Sequence, residues 1–351
     1  MSKNRNKADD SGSGSDALYL GIDLGTSRSS IATAEGARKT VESYVGWPKD
    51  AVSMKHLNGR SIIYGREALD NRLSLDLYRP LADGVIKADE AGDRNLEAAR
   101  ELIAYLVELA DPPRGVELFG VCGVPSEASG TNKEAIIECT KGILDAVMIV
   151  TEPFCVAYGL ERTSDVLVVD IGAGTTDLCR MHGTVPTMDD QISINVAGDA
   201  VDRKMYELIK EAYPEVSLNI NMCKKFKEQY GYVHSATDKI EVMMPVNGKP
   251  TKHDITKIVH DACYILVDPI VEALHKLISS FDPEFQDRMR DNIILSGGGG
   301  LMAGLNKAIE DKLERVGGAS VTQVEEPMYA GANGGLQLAL DMPEDYWQQL
   351  R

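Results

Sequence analysis

The sequence contains no apolar run that approaches the roughly 20 residues needed to cross a bilayer, and no signal peptide opens it. It also lacks a stripe of lysine and arginine, and its 351 residues carry a formal net charge of −17. A nucleic-acid-binding protein usually shows a basic footprint, which is missing here. These absences predict a cytoplasmic protein that neither inserts into a membrane nor binds nucleic acid.

The cysteines and histidines form no recognisable disulfide or metal pattern. No two cysteines have CxxC spacing, and most lie in apolar segments, which is typical of buried free thiols in a reducing compartment. No HExxH pattern occurs, so we expect no protein-ligated zinc. The cysteines are Cys122, Cys139, Cys155, Cys179, Cys223 and Cys263.

Two common phosphate-binding motifs are absent as well. No GxxxxGK[ST] segment occurs, which excludes a P-loop NTPase, and no GxGxxG follows a strand to open a helix. If this protein binds phosphate, another geometry must supply the donors.

What the sequence does contain is a coarse internal repeat. Residues 18–31 read LYLGIDLGTSRSSI, and residues 166–178 read VLVVDIGAGTTDL. Each is an apolar run that ends in Asp-x-Gly and continues through small and hydroxyl residues, which is the pattern of a β-hairpin. The chain length fits about two domains, and the hairpins lie about one domain length apart. We therefore expect two related domains, each opening with such a hairpin.

Helical and strand patterns alternate along the chain, which favours an α/β architecture. Residues 1–16 are polar and rich in Ser and Gly, which predicts a disordered tail. Pro269 is expected to kink or break a long helix, and Asn247-Gly248 is expected to form a hairpin turn. Apolar spacing predicts helices over residues 93–110, 131–144, 153–160, 199–213, 221–230 and 254–281 and from residue 301, and buried strands at 118–124 and 292–296.

The two hairpin turns carry the residues suited to phosphate chemistry. Gly25 lets the backbone turn tightly beside an anion, and the hydroxyls of Thr26 and Ser27 can donate to phosphate oxygens. Asp23 at the strand end can hold a hydrated Mg²⁺. The second turn repeats the design with Asp170, Gly172, Ala173, Gly174, Thr175, Thr176 and Asp177. Two such turns facing each other would clamp a di- or triphosphate and its metal.

A run of glycines follows the strand expected at residues 292–296. Taken alone, Gly297, Gly298, Gly299 and Gly300 indicate either a flexible loop or close backbone packing. The order of strand, glycines and helix favours packing against a flat purine and its phosphates.

Together these segments resemble the actin, heat-shock chaperone and sugar kinase superfamily over residues 18–340. DLGTS, DIGAGTTD and ILSGGGG look like its two phosphate motifs and its adenosine motif. EPFCVAYGL (residues 152–160) and GANGG (331–335) look like its two connecting helices. Lys227 and Glu228 resemble its adenosine and ribose contact, and Gly198 and Asp199 resemble another motif beside the nucleotide.

The resemblance implies an α/β actin-like ATPase fold, with two duplicated RNase H-like domains around a nucleotide cleft. Each domain would carry a smaller subdomain. We expect domain I over residues 17–161, with its subdomain at about 45–85 and completed by 339–351. Domain II would cover 162–338, with its subdomain at about 204–276.

The same resemblance implies roles for single residues in binding ATP or ADP with Mg²⁺. Glu152 would orient and partly deprotonate the attacking water, or would instead only interact with a helix dipole. Asp23 and Asp170 would hold Mg²⁺, largely through water, and Asp177 would help to position the water network. Arg28 departs from the smaller or neutral residue of many relatives, so it either contacts phosphate or reaches solvent.

Several segments resemble more closely the bacterial actins that organise magnetosome chains. These segments are YVGWPKD (44–50), GTVP (183–186), KEQ (227–229) and PEDYWQQL (343–350). The resemblance implies a head-to-tail, multi-stranded homopolymer that hydrolyses ATP to drive filament turnover, with magnetosome-associated adaptors as further partners. A cell-shape actin and a small-molecule kinase or phosphatase of the same superfamily are the alternatives.

Overall fold

The computed structural model describes residues 17–87, 92–234 and 238–351, so the tail expected at residues 1–16 lies outside the described residues. The first half contains β1 (Ala17–Leu24), β2 (Arg28–Thr33), β3 (Arg38–Glu42), β4 (Val45–Pro48), α1 (Ala51–His56), β5 (Ile63–Tyr64), α2 (Gly65–Asp70), β6 (Leu75–Tyr78), β7 (Leu81–Ala82), β8 (Val85–Ile86), α3 (Gly92–Ala110), β9 (Glu117–Val124), α4 (Gly130–Thr140), β10 (Ala146–Thr151) and α5 (Glu152–Gly159).

The second half alternates in the same way. It contains β11 (Ser164–Ile171), β12 (Thr176–His182), a 3₁₀ turn (Met188–Asp190), β13 (Gln191–Ile194), α6 (Gly198–Ala212), α7 (Ile220–Tyr230), β14 (Glu241–Val246), β15 (Lys249–Asp254), α8 (Thr256–Cys263), a 3₁₀ turn (Tyr264–Leu266), α9 (Val267–Ser279), α10 (Gln286–Arg290), β16 (Ile293–Ser296), α11 (Gly297–Gly300), α12 (Leu305–Leu313), a 3₁₀ turn (Glu314–Val316), β17 (Val321–Gln323), α13 (Ala330–Asp341) and α14 (Glu344–Gln349).

Two five-stranded sheets repeat one topology, as the hairpin repeat predicts. The first has the order β10-β9-β1-β2-β3, and the second has the order β17-β16-β11-β12-β13. In each sheet the first strand pairs antiparallel with the next strand in sequence and parallel with a strand from much later in the chain. The expected fold of two duplicated α/β units is confirmed, whereas the exact domain bounds stay a prediction.

Three apolar clusters hold these units together. One packs beneath each sheet, and a third lies between the halves, where Phe119 and Val121 of β9 meet Val168 of β11. Strand β11 is buried on both faces, which explains why its sequence is continuously apolar rather than alternating.

Helices α5 and α13 cross in this central cluster at a distance that only glycine permits. A Cβ added to Gly334 would lie 1.7 Å from the carbonyl oxygen of Cys155. A Cβ added to Gly21 of β1 would lie 1.9 Å from the carbonyl oxygen of Ala332. A Cβ added to Gly159 of α5 would lie 2.7 Å from the Cα of Gly334. Packing therefore requires Gly159 and Gly334 at the crossing, and Gly21 where β1 meets α13.

A smaller sheet or hairpin accompanies each unit. The first is the three-stranded sheet β5-β4-β6, and the second is the hairpin β14–β15. In that hairpin Asn247 and Gly248 both have positive φ, +50° and +77°, so the expected turn is confirmed.

Several expected helix ends and breaks are wrong, each for a local reason. The helix expected over 131–144 is α4, which begins after the cap residue Ser129 and ends at Thr140, because Gly142 adopts a φ of +72°. The helix expected over 254–281 breaks at the 3₁₀ turn between α8 and α9, before Pro269. The helix expected from Leu301 begins at Leu305, because the four glycines themselves form the preceding turn.

All six cysteines are free and buried, as expected. Among the described residues no helix has both the length and the apolar character that crossing a membrane requires.

Candidate nucleotide site

A cavity of about 360 Å³ lies where β1 and β11 end, between the two hairpin turns. Both expected phosphate turns and the glycine run contribute to its lining. Most of the expected site residues line it, namely Asp23, Gly25, Thr26, Ser27, Arg28, Glu152, Asp170, Gly172, Ala173, Thr175, Gly198, Asp199, Lys227, Glu228, Gly297, Gly298 and Gly299. Residues that are far apart in the sequence thus share one cleft.

The first turn, between β1 and β2, is held from behind by hydroxyl groups. Ser43 Oγ donates to the carbonyl oxygen of Gly25 at 2.6 Å, and the amide of Gly84 donates to Thr26 Oγ1 at 2.8 Å. A Cβ on Gly25 would lie 2.3 Å from the carbonyl oxygen of Arg28, so no other residue fits this bend without a shift. These contacts fix the turn before any ligand binds.

The second turn, between β11 and β12, is closed by its own backbone and by a helix. The amide of Gly172 donates to the carbonyl of Thr175 at 2.9 Å. At the start of α6, the amides of Gly198 and Asp199 donate to the carbonyls of Gly172 and Ala173 at 3.1 and 2.7 Å. The helix therefore fixes the position of the turn.

Three partly buried carboxyl groups, those of Asp23, Glu152 and Asp170, line the cavity, and no lysine or arginine of the described residues pairs with them. Burial raises the pKa of Asp23 to about 6, and it raises the pKa of Glu152 and Asp170 well above the ordinary values, with further contributions from the neighbouring carboxylates. Glu152 Oε1 has no hydrogen-bond partner in the described part of the chain. A site of this kind strongly favours a bound cation, because buried carboxylates are costly unless paired.

The donor set fits a hydrated magnesium ion better than a bare metal. Carboxylate oxygens are the ligands that Mg²⁺ takes from proteins, usually one or two of them together with waters and substrate phosphates. Among the described residues no group of three or more acidic, cysteine or histidine side chains is placed to hold a metal ion directly. Asp23 and Asp170 therefore suit a metal held largely through water.

The glycine run meets the second turn from the other side. Gly297 has a φ of +72°, and a Cβ there would lie 2.4 Å from Asp170 Oδ1. A Cβ on Gly299 would lie 2.3 Å from Ile171 Cγ2, whereas one on Gly298 would meet nothing within 4 Å. Gly297 and Gly299 are required by packing, and Gly298 leaves open room in the cavity wall.

The charged residues of α7 are tied to other protein groups. Lys227 Nζ donates to the carbonyl of Gly198 at 2.7 Å and forms an ion pair with the buried Asp202 at 2.8 Å. Glu228 pairs with Arg28 across the cleft at 3.3 Å. Arg28 therefore lines the cavity, and its guanidinium pairs with Glu228 on the opposite wall.

Three expected site residues do not line the cavity, and the structure places them behind the turn. Thr176 is fully buried, and its hydroxyl donates to the carbonyl of Val196 at 2.9 Å. Gly174 packs against Asp83, where an added Cβ would lie 2.6 Å from the Asp83 Cα. Asp177 accepts from the Ser126 amide at 2.7 Å and from Ser193 Oγ at 2.6 Å, so it links the two halves behind the turn.

Two cationic residues beside the site were missed. Lys224 lines the cavity, and its Nζ donates to Ser27 Oγ at 2.5 Å. It lies one helical turn before Lys227 and Glu228, so helical spacing alone could have placed it on the same face. Arg79 donates to the carbonyl of Thr26, and no motif in the sequence signals that contact.

Comparison with known proteins places this geometry in a family. The MreB/Mbl protein family model matches residues 17–345. The actin-like protein MamK of Paramagnetospirillum magneticum is 39% identical over 339 residues, which covers 97% of each chain. The chain belongs to the MreB/Mbl family and, within it, to the MamK group of actin-like proteins.

The solved MamK structures share this fold. The MamK double helical filament matches with a TM-score of 0.90 at 38% identity and covers 93% of this chain and 100% of that one. A non-polymerising MamK mutant bound to AMPPNP has the same identity and coverage but a TM-score of 0.71. By TM-score, the structure described here is more similar to the filament subunit than to this mutant.

Proposed function

We propose that this MamK-group protein is an ATP-dependent, filament-forming bacterial actin. It binds Mg-ATP between its two halves, polymerises head to tail and hydrolyses ATP to drive filament turnover. The observation that carries the proposal is the set of three carboxyl groups, Asp23, Asp170 and Glu152, which line one cavity together with two preformed phosphate turns. The filament form of MamK supports the self-association.

Each residue of the site has a definite task in this proposal. The turn amides, with Thr26, Ser27 and Thr175, hold phosphate oxygens, and Asp23 and Asp170 hold the hydrated metal. Bound Mg²⁺ would neutralise charge on the phosphates. Glu152 lies at the N-terminus of α5 and lines the cleft, where it orients a water and accepts its proton.

Hydrolysis would act on the filament through the cleft. ATP and ADP make different contacts with the two halves, so each favours a different arrangement and a different affinity for the next subunit. Head-to-tail contacts do not close on themselves, which gives filaments. We further propose that these cytoplasmic filaments position magnetosomes through adaptor proteins, in line with the MamK relatives. The cell-shape alternative rests on the family model, which includes MreB.

A sedimentation assay tests this function. Filaments should pellet with ATP and Mg²⁺, pellet less with ADP, and pellet little without nucleotide, and phosphate release should follow assembly. A protein that stays monomeric under all three conditions, or that phosphorylates a sugar instead, would exclude the filament function.

Replacing Asp170 by asparagine should raise the Mg²⁺ concentration needed for half-maximal ATP binding by roughly 10–100-fold. The reason is that the variant removes one of two carboxylates available to the hydrated metal. Titration of Mg²⁺ at fixed fluorescent ATP measures the effect. The control is Asp76→Asn, which alters an exposed carboxylate of β6. An unchanged magnesium dependence in Asp170→Asn would contradict the metal assignment.

A further inference from the structure

Arg79 joins the two halves of the protein directly behind the phosphate turns. It lies between β6 and β7, and its Nε donates to the carbonyl oxygen of Thr26 at 2.8 Å. Its Nη1 and Nη2 reach the two carboxylate oxygens of Asp199 at 2.8 and 3.1 Å. The two side chains are only 24% and 21% exposed. A two-pronged guanidinium–carboxylate contact is directional, and lysine cannot reproduce it.

Asp199 belongs to the second phosphate turn through its backbone. Its amide donates to the carbonyl of Ala173, while the amide of Gly198 donates to the carbonyl of Gly172. Arg79 contacts the first turn at Thr26 and the second turn through Asp199. One side chain thus sets the position of one phosphate turn relative to the other.

The contact with Thr26 also determines where an amide points. A trans peptide is planar, so the Thr26 carbonyl and the Ser27 N–H point in opposite directions. Because Arg79 holds the carbonyl, the Ser27 N–H is directed away from Arg79, and Ser27 lines the cavity. Arg79 therefore helps to orient a phosphate donor without itself lining the cavity.

The charges of Arg79 and Asp199 also indicate that Arg79 supports nucleotide binding. Asp199 lines the cavity, so its negative charge lies near the region where a polyphosphate would bind. Like charges repel, and the guanidinium of Arg79 offsets the negative charge of Asp199. Without Arg79, the turn would lose one orienting contact and present an unpaired carboxylate to the nucleotide.

We propose that Arg79 is a positioning residue that holds the nucleotide cleft closed and sets the rate at which nucleotide leaves. The inference rests on the proposed function, because it assumes that the cavity binds ATP. Arg79 directly follows β6, which pairs with β4 of the small sheet. Closure of the cleft therefore also fixes one edge of that sheet.

The test measures release of a fluorescent ATP analogue from the full-length protein when excess unlabelled ATP is added. Arg79→Gln should release it roughly 10–100-fold faster, because two hydrogen bonds to a charged partner are lost. Arg79→Lys keeps the positive charge but cannot make the two-atom contact with the Asp199 carboxylate. Its release rate should therefore lie between those of Arg79→Gln and the unchanged protein. Arg38→Gln is the matched control, since it removes an exposed ion pair with Glu326 away from the turns.

Two further measurements separate positioning from a merely structural role. The melting temperature of Arg79→Gln without nucleotide should be close to that of the unchanged protein. The increase in melting temperature that ATP produces should be smaller in the variant. A double-mutant cycle with Asp199→Asn should be non-additive, because the two side chains act as one contact.

The outcomes distinguish this inference from the proposed function. If the unchanged protein binds no ATP, both fail. If it binds ATP and both Arg79 variants release it at the unchanged rate, the positioning role alone is overturned. It is also overturned if Arg79→Gln only lowers the melting temperature without nucleotide, or if its effect adds simply to that of Asp199→Asn.

Discussion

Replacing Glu152 by glutamine is expected to slow ATP hydrolysis by roughly 10²–10⁴-fold while nucleotide binding and assembly persist. Glutamine keeps the size and shape of the side chain but cannot accept a proton from water. Binding should survive because the change removes a negative charge from a site that already contains Asp23 and Asp170. Filaments of the variant should therefore form with ATP and turn over slowly.

The environment of Glu152 explains the size of this effect. Burial first, and the neighbouring carboxylates second, raise its pKa well above the ordinary value, so its basicity is greater than that of an exposed glutamate. Its Oε1 is buried and makes no hydrogen bond within the described residues, so its capacity to accept a hydrogen bond is unused. Gly123 packs against it, since a Cβ there would lie 3.2 Å from Glu152 Cγ.

Phosphate release in a single turnover, measured beside sedimentation, checks the prediction. The control is Glu127→Gln, because the Glu127 carboxylate accepts from the Ser193 amide at 3.1 Å and Glu127 does not line the cavity. Normal phosphate release by Glu152→Gln would show that Glu152 serves only the helix dipole.

The hairpin turns could be predicted from sequence because each is specified locally. An apolar run followed by Asp-x-Gly determines the strand, the turn and the strand-end carboxylate together, as at Asp23 and Asp170. The local sequence of one turn could not show that both turns lie in a single cleft. It followed from the repeat and from the resemblance to a known superfamily.

The missed and misplaced residues depend on geometry that local sequence does not carry. Thr175 and Thr176 read alike, but Thr175 lies in the turn and lines the cavity, whereas Thr176 begins β12 and donates to the carbonyl of Val196. Arg79 contacts Asp199, which is 120 residues later in the sequence, and no periodic pattern in the sequence predicts this contact. The break between α8 and α9 was misplaced because proline is well tolerated in the first turn of a helix, and that is where Pro269 lies.

Replacing Asp190 by asparagine is expected to lower the free energy of unfolding by roughly 3–5 kcal/mol, because it leaves Arg180 buried with a neutral partner. The two side chains are 5% and 7% exposed, and they meet at 2.6 Å. Arg180 also donates to the carbonyl of Leu277 at 2.7 Å and lies over the ring of Phe281 at 4.3 Å. The pair thereby ties β12 to the end of α9.

Asparagine cannot replace this carboxylate even by shape. Arg180 Nε and Nη2 donate to Asp190 Oδ1, while the amide and hydroxyl of Thr187 donate to Oδ2 at 2.9 and 2.7 Å. The side chain of asparagine has only one acceptor oxygen. Its NH₂ group would therefore point at the donors of either Arg180 or Thr187. Chemical denaturation at pH 7 measures the loss, and Asp70→Asn, in an exposed pair with Arg66, should change stability by at most about 1 kcal/mol.

The dependence on pH provides a second check. Burial raises the pKa of Asp190, but hydrogen bonds from Thr187 and Arg180 outweigh burial and lower it from 3.8 to about 2. A carboxyl group with a lowered pKa in the folded state stabilises the protein above the unfolded value, and this contribution is lost as the pH falls towards 2. The stability difference between the unchanged protein and Asp190→Asn should therefore narrow as the pH falls below about 4. A difference that does not narrow between about pH 4 and pH 2 would show that the carboxylate does not stabilise the fold through its charge.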